Sequence, residues 1–189
     1  MRRSDYLNTR YTGPDWIDIG WDKFTAAAET EFVEFLSEMT GEWKWYSNNP
    51  RIQRNKALFE LVDWFLFTAS AIHCANRYIG LDGVEDALVS YQAFGTDPSW
   101  WPPKDIGVGK VMVWKSELVV LSEYASISVS IQKLAVTLDI MLGYIGATPA
   151  DFDQAYEEKY AMCLKRVEAG IMRGVPYDKT KEVYSEILV

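Results

Sequence analysis

Leu58-Phe59-Glu60-Leu61-Val62-Asp63-Trp64-Phe65-Leu66-Phe67 sets two carboxylates into a run in which nearly every neighbour is large and apolar. The two acids stand three apart, as do Glu31 and Glu34 in Glu31-Phe32-Val33-Glu34. At that spacing both carboxylates of a pair leave one face of a helix. A single pair is ordinary on a solvated helix face. Acids inside an apolar run are poorly solvated, and buried carboxylates need partners or a metal. Two helices carrying one pair each, joined by a turn-containing connection, can pack antiparallel and turn the pairs toward each other. Four clustered carboxylates repel unless cations join them, and a donor set made only of oxygen selects a hard ion. Magnesium (Mg2+), which keeps several waters and shares its sphere with phosphates, is the expected ion, and a nucleotide polyphosphate the expected ligand.

Outward from the acids, the helical period extends in both directions. Phe24, Ala27, Ala28, Phe32, Phe35, Leu36 and Met39 recur at three and four, which predicts an amphipathic helix from about Asp22 to Gly41. Leu58, Leu61, Val62, Phe65, Leu66, Ala69 and Ile72 predict a second from about Ile52 to Tyr78, with Pro50 before it and Gly80 after it. Val84 to Phe94 reads as a short helix. Thr96 to Gly109, with Asp97-Pro98-Ser99-Trp100-Trp101-Pro102-Pro103, reads as a loop, because consecutive prolines forbid a helical interior. A further helix runs from about Lys110 toward Gly143, with a break expected near Ser126 to Ser130. Thr148-Pro149-Ala150-Asp151 supplies a capping hydroxyl, a proline for the first turn and an acid three residues on, opening a helix to about Gly170. Residues 1–20 carry no clear period and read as an irregular arm; residues 174–189 read as a tail free to move, with room for one short helix. No strand alternation competes, so the expectation is one all-α helical bundle across residues 1–189.

The chain has 189 residues, 49% of them hydrophobic, enough for a full core. Lys+Arg number 19 against Asp+Glu 27, a net charge of -8, which argues against nucleic acid or an anionic membrane as the main partner while leaving room for a local basic patch. The two cysteines, Cys74 and Cys163, match no metal spacing, and no basic start with an apolar run is present, so a cytoplasmic setting is expected. Leu118 to Ile145 is interrupted by Glu123, Lys133 and Asp139, too polar for a lipid-facing span of about 20 residues. His73, the one histidine, lies inside the second helix and reads as a packing residue. Trp43, Trp45, Trp100 and Trp101 read as core, interface or loop anchors, with stacking on a base as the functional alternative. Lys159 and Arg166 stand seven apart on one helix face, a spacing that suits either a solvated stripe or an oxyanion clamp.

The pattern Glu31-x-x-Glu34 followed by Glu60-x-x-Asp63 resembles the all-α nucleoside triphosphate pyrophosphatases, the superfamily of MazG and the dimeric dUTPases. Trp43-Lys44-Trp45-Tyr46 is similar to the Trp-Lys-Trp-Trp segment of the dUTPase branch, and Glu60 to Ser70 to its Glu-Leu-x-Asp-x-x-His-Phe helix. Tyr156-x-x-Lys159, then Cys163 and Arg166, follows the spacing of its Tyr-x-x-Lys-Asn-x-x-Asn-x-x-Arg segment, and Tyr177 and Lys181 loosely resemble a tail that closes on phosphates. The resemblance implies a homodimer that hydrolyses a deoxynucleoside triphosphate, dUTP first, to the monophosphate and pyrophosphate. Glu31, Glu34, Glu60 and Asp63 would hold magnesium, with Glu31 orienting a water. Lys159 and Arg166 would stabilise charge, and Lys44, Tyr156, Cys163, Tyr177 and Lys181 would contact substrate. The role would be nucleotide-pool cleansing in a bacterial cell or pool control by a phage. Leu66 stands where the family has His, and Cys163 where it has its second Asn, a residue that approaches the nucleoside. That departure leaves dCTP or a purine triphosphate as alternative substrates, and a non-catalytic helical interaction protein as the more distant alternative.

Overall fold

Every described residue of the computed structural model, 3–75, 106–113, 115, 127–171, 174–178 and 181–188, belongs to an all-α fold, and no strand occurs among them. In chain order come α1 (Arg3–Thr12), a 3-10 turn (Trp16–Ile19), α2 (Trp21–Glu38), the single turn α3 (Thr40–Trp43), α4 (Arg54–Ala75), α5 (Ile127–Ile145) and α6 (Pro149–Glu168). Residues 108–113 are also helical.

Helix α2 buries Phe24, Ala28, Phe32 and Phe35, a stripe at spacings of three and four, and its main partner is α4. The helical period puts Glu31 and Glu34 along one edge of that stripe, Glu31 half-buried and Glu34 exposed. Between the two helices the chain turns back tightly. The Gly41 amide donates to the Arg51 carbonyl at 2.7 Å, the Gln53 amide to the Glu38 carbonyl at 2.8 Å, and the Arg51 amide to the Thr40 hydroxyl at 2.9 Å. A Cβ on Gly41 would lie 2.6 Å from Ile52 Cγ1 and 3.1 Å from the Arg51 carbonyl oxygen, so the close approach requires glycine.

Helix α4 is the axis of the bundle, packed by α2, α5 and α6. Leu58, Leu61, Val62 and Trp64 from α4 meet Phe35 and Met39 from the α2 end and Leu134, Met141, Leu142 and Ile145 from α5, all fully buried. At the start of α6 the Thr148 hydroxyl accepts from the Asp151 amide at 3.3 Å while the Asp151 carboxylate accepts from the Thr148 amide at 2.8 Å, with Pro149 in the first turn. Among the described residues Arg54–Ala75 is long and apolar enough to cross a membrane by length and composition, yet most of its apolar stretch is buried inside the bundle.

The two ends of the chain differ from expectation. The segment read as an irregular arm contains α1 and the 3-10 turn. Its helical pattern is too weak to read alone, but α1 docks on α6, and Leu7 and Trp16 are buried at 6% and 2% exposure. The tail is docked as well. Tyr184, Ile187 and Leu188 pack on the main core, and the Asn55 side chain donates to the Ser185 carbonyl at 2.8 Å and accepts from the Ile187 amide at 2.8 Å. The helix expected over Val84 to Phe94 and most of the Pro-rich loop fall outside the described residues. So do Trp100 and Trp101 and the stretch 116–126.

Candidate metal centre and phosphate cleft

Where the acidic edge of α2 faces α4, one carboxylate oxygen each from Glu31, Glu34 and Glu60 lies within 4.8 Å of the others. These groups open into a cleft of about 620 Å³. It is lined as well by Asp63, Lys159, Cys163 and Arg166, by Asn8 and Tyr11 of α1, and by Glu182 and Tyr184 of the C-terminal segment.

Burial is the first cause that pushes the Glu31 carboxyl up to about 7, and repulsion from Asp63, Glu34 and Glu60 adds to it. Burial likewise raises Glu60 to about 7; Lys159 opposes the shift, and the charges of Asp63 and Glu34 reinforce it. The donor set therefore fits a divalent cation. It is all oxygen and convergent, with Glu31 and Glu60 half-buried and Glu34 exposed, and the two half-buried members resist ionisation at neutral pH in the protein alone, a cost that a hard cation among them would remove. Asp63 stands apart from the triad. Its Oδ2 is 2.5 Å from Lys159 Nζ, and this lysine is 4% exposed. Burial acts to lower the lysine's pKa, but the Asp63 carboxylate outweighs it and holds the ammonium charged, with the Tyr184 ring 5.1 Å away as a second contact.

Arg166 Nε donates to Glu182 Oε1 at 2.6 Å and Arg166 Nη2 to Oε2 at 2.5 Å, a planar two-point pair. The Tyr184 hydroxyl donates to the same Oε2 at 3.2 Å. Hydrogen bonds from Arg166 are the chief reason the Glu182 carboxyl sits below the usual carboxylate range. On the α1 side, the Tyr11 hydroxyl donates to the Cys163 carbonyl at 3.1 Å and the Asn8 amide to the Ser70 hydroxyl at 3.0 Å.

Of the residues singled out from sequence, Glu31, Glu34, Glu60, Asp63, Lys159, Cys163 and Arg166 share this cleft. Lys44, Tyr156, Tyr177 and Lys181 do not line it. Lys44 lies 5.6 Å over the Tyr46 ring, and Tyr156 packs beside Phe152 with ring centroids 6.4 Å apart. The Tyr177 hydroxyl is 3.9 Å from Met162 Sδ, while Lys181 is an exposed residue 3.4 Å from Asp178. Spacing fixes which helix face a residue takes but not where a loop or tail sends it, as for Lys44, Tyr177 and Lys181, whereas Tyr156 lies on α6 itself. His73 is stacked on Trp16 with centroids 5.5 Å apart, a packing role. Trp43 Nε1 donates to the Leu36 carbonyl at 3.1 Å, and Trp45 is 91% exposed. Tyr11, Glu182 and Tyr184 went unread. The spacing Tyr184-x-x-Ile187-Leu188 was a signal that the tail docks, and Asn8 lies beside the buried Leu7.

No family model, curated protein or solved structure matches the chain.

Proposed function

We propose that this chain is a magnesium-dependent nucleoside triphosphate pyrophosphatase of the all-α superfamily, acting on dUTP and working as a cytoplasmic homodimer. One observation carries the reading: three convergent carboxylates and two buried-side cations, Lys159 and Arg166, face the same cleft from α2, α4 and α6. Acids that repel one another need a hard cation, and Lys159 and Arg166, paired with Asp63 and Glu182, put positive charge in the same cleft. A metal-bound polyphosphate would answer to both.

Glu31, Glu34 and Glu60 would hold magnesium, with Asp63 joining once Lys159 turns from it. The ion when bound would offset phosphate charge and lower the pKa of a water. Glu31 would orient the attacking water and accept its proton. Lys159 and Arg166 stabilise the negative charge that grows on the leaving pyrophosphate. Cys163, beside Arg166 and next to Tyr11, faces the nucleoside end.

The test is a panel of deoxynucleoside triphosphates with pyrophosphate detection, run with and without magnesium. Pyrophosphate release from dUTP, lost on chelation and in Glu60→Ala, is the expected result. Release from dCTP or a purine triphosphate instead would keep the chemistry and reassign the base. No release from any nucleotide would leave the acid cluster to the non-catalytic alternative.

A further inference from the structure

Glu182 lies sixteen residues beyond Arg166, in a segment with no regular helix, yet its side chain is only 6% exposed and that of Arg166 14%. Such a two-point pair is too sheltered to be an incidental surface contact. It spends two N–H groups of the guanidinium on the protein and fixes the plane of the rest. The segment that carries Glu182 is itself held. The Tyr184 ring lies 4.2 Å from that of Phe59, its hydroxyl bonds Glu182, and the Asn55 side chain at the start of α4 holds the backbone at Ser185, Ile187 and Leu188. Asn55 sits five residues before Glu60 on the same helix. The helix that presents Glu60 and Asp63 thus also anchors the strap that holds Glu182.

We propose that Glu182 is a positioning residue, which sets the Arg166 guanidinium at the cleft so that its remaining N–H groups meet an oxyanion of the polyphosphate, and that the C-terminal segment 182–188 is thereby part of the site. This rests on the polyphosphate reading given above. A preset guanidinium loses little side-chain freedom when the anion arrives, whereas a loose one loses several rotamers. The competing possibility is that the Glu182 carboxylate occupies the anion's own place on Arg166 and is displaced by it. The two predict opposite signs.

Titration calorimetry of the full-length chain with inorganic tripolyphosphate and magnesium decides the matter, using wild type, Glu182→Gln, Arg166→Ala and the double variant. Glu182→Gln should weaken tripolyphosphate binding about tenfold, and the double variant should bind no more weakly than Arg166→Ala alone. A merely structural loss would instead add to the effect of Arg166→Ala. Tighter binding by Glu182→Gln, or binding unchanged from wild type, overturns the positioning role. If Glu182→Gln does not fold, Asn55→Ala, which loosens the strap without touching Arg166, should also weaken binding, and unchanged affinity there overturns the proposal equally. Failure of the wild type itself to bind tripolyphosphate would refute the polyphosphate reading, and this proposal with it.

Discussion

Glu31 and Glu60 hold protons up to about pH 7 in the folded protein against a reference of 4.5, so the native state binds protons more tightly than the unfolded chain. The sign follows directly. Their contribution to stability is present below pH 4.5 and is lost as pH rises toward 7, because ionisation places repelling charges in a half-buried cluster. The melting temperature of the metal-free protein should therefore fall across that window, Glu60→Gln should flatten the fall, and magnesium should raise the melting point above pH 7 far more than below pH 4.5. A metal-free melting point that is flat or rising through the window would contradict the electrostatics given for these two acids. At the same scale, Arg166→Ala should lower kcat/KM for every triphosphate alike by about 3 kcal/mol, the size of one electrostatic donor, and Arg166→Lys should recover only part, since an ammonium lacks the planar fork. Loss confined to one base would assign Arg166 to base recognition instead.

Individual helices were legible wherever local chemistry decides them. Thr148-Pro149-Ala150-Asp151 announced α6, and both bonds of its capping box are formed. Thr148→Ala should therefore cost about 1 kcal/mol in urea unfolding with the slope unchanged, and Gly41→Ala about 1–3 kcal/mol, because the added Cβ meets Ile52 at 2.6 Å. Equal stability of Gly41→Ala and wild type would mean that the turn between α3 and α4 yields more easily than its geometry implies. Helix α1 was illegible for the converse reason. Its only fully buried described side chain is Leu7, and its tertiary ties, Asn8 to Ser70 and Tyr11 to the Cys163 carbonyl, span 62 and 152 residues. No short window contains such partners.

Across the whole molecule, acids and cations line one cleft, so metal and nucleotide should bind cooperatively, the ion offsetting the acids and the phosphates completing its shell. Calorimetry with a non-hydrolysable dUTP analogue, with and without magnesium, should give a clear gain in affinity with the ion; equal affinity in both conditions would break the link between the acid triad and the phosphate cations. The sequence by itself determined the all-α class, the apolar stripe of α2, the cap of α6 and the candidacy of Glu31, Glu34, Glu60, Asp63, Lys159 and Arg166. Helical period and capping are local, and a period of three and four fixes which side chains share a face. Only the tertiary structure decided that Asp63 pairs with Lys159 while the other three acids converge, that Lys44, Tyr156 and Lys181 stay out of the cleft, and that a tail glutamate takes hold of Arg166. Those outcomes depend on how separate helices and a docked C-terminal segment meet in space, and on which of several acids a buried cation reaches first. Burial sets the strength of such pairings, and burial does not exist until the chain has folded.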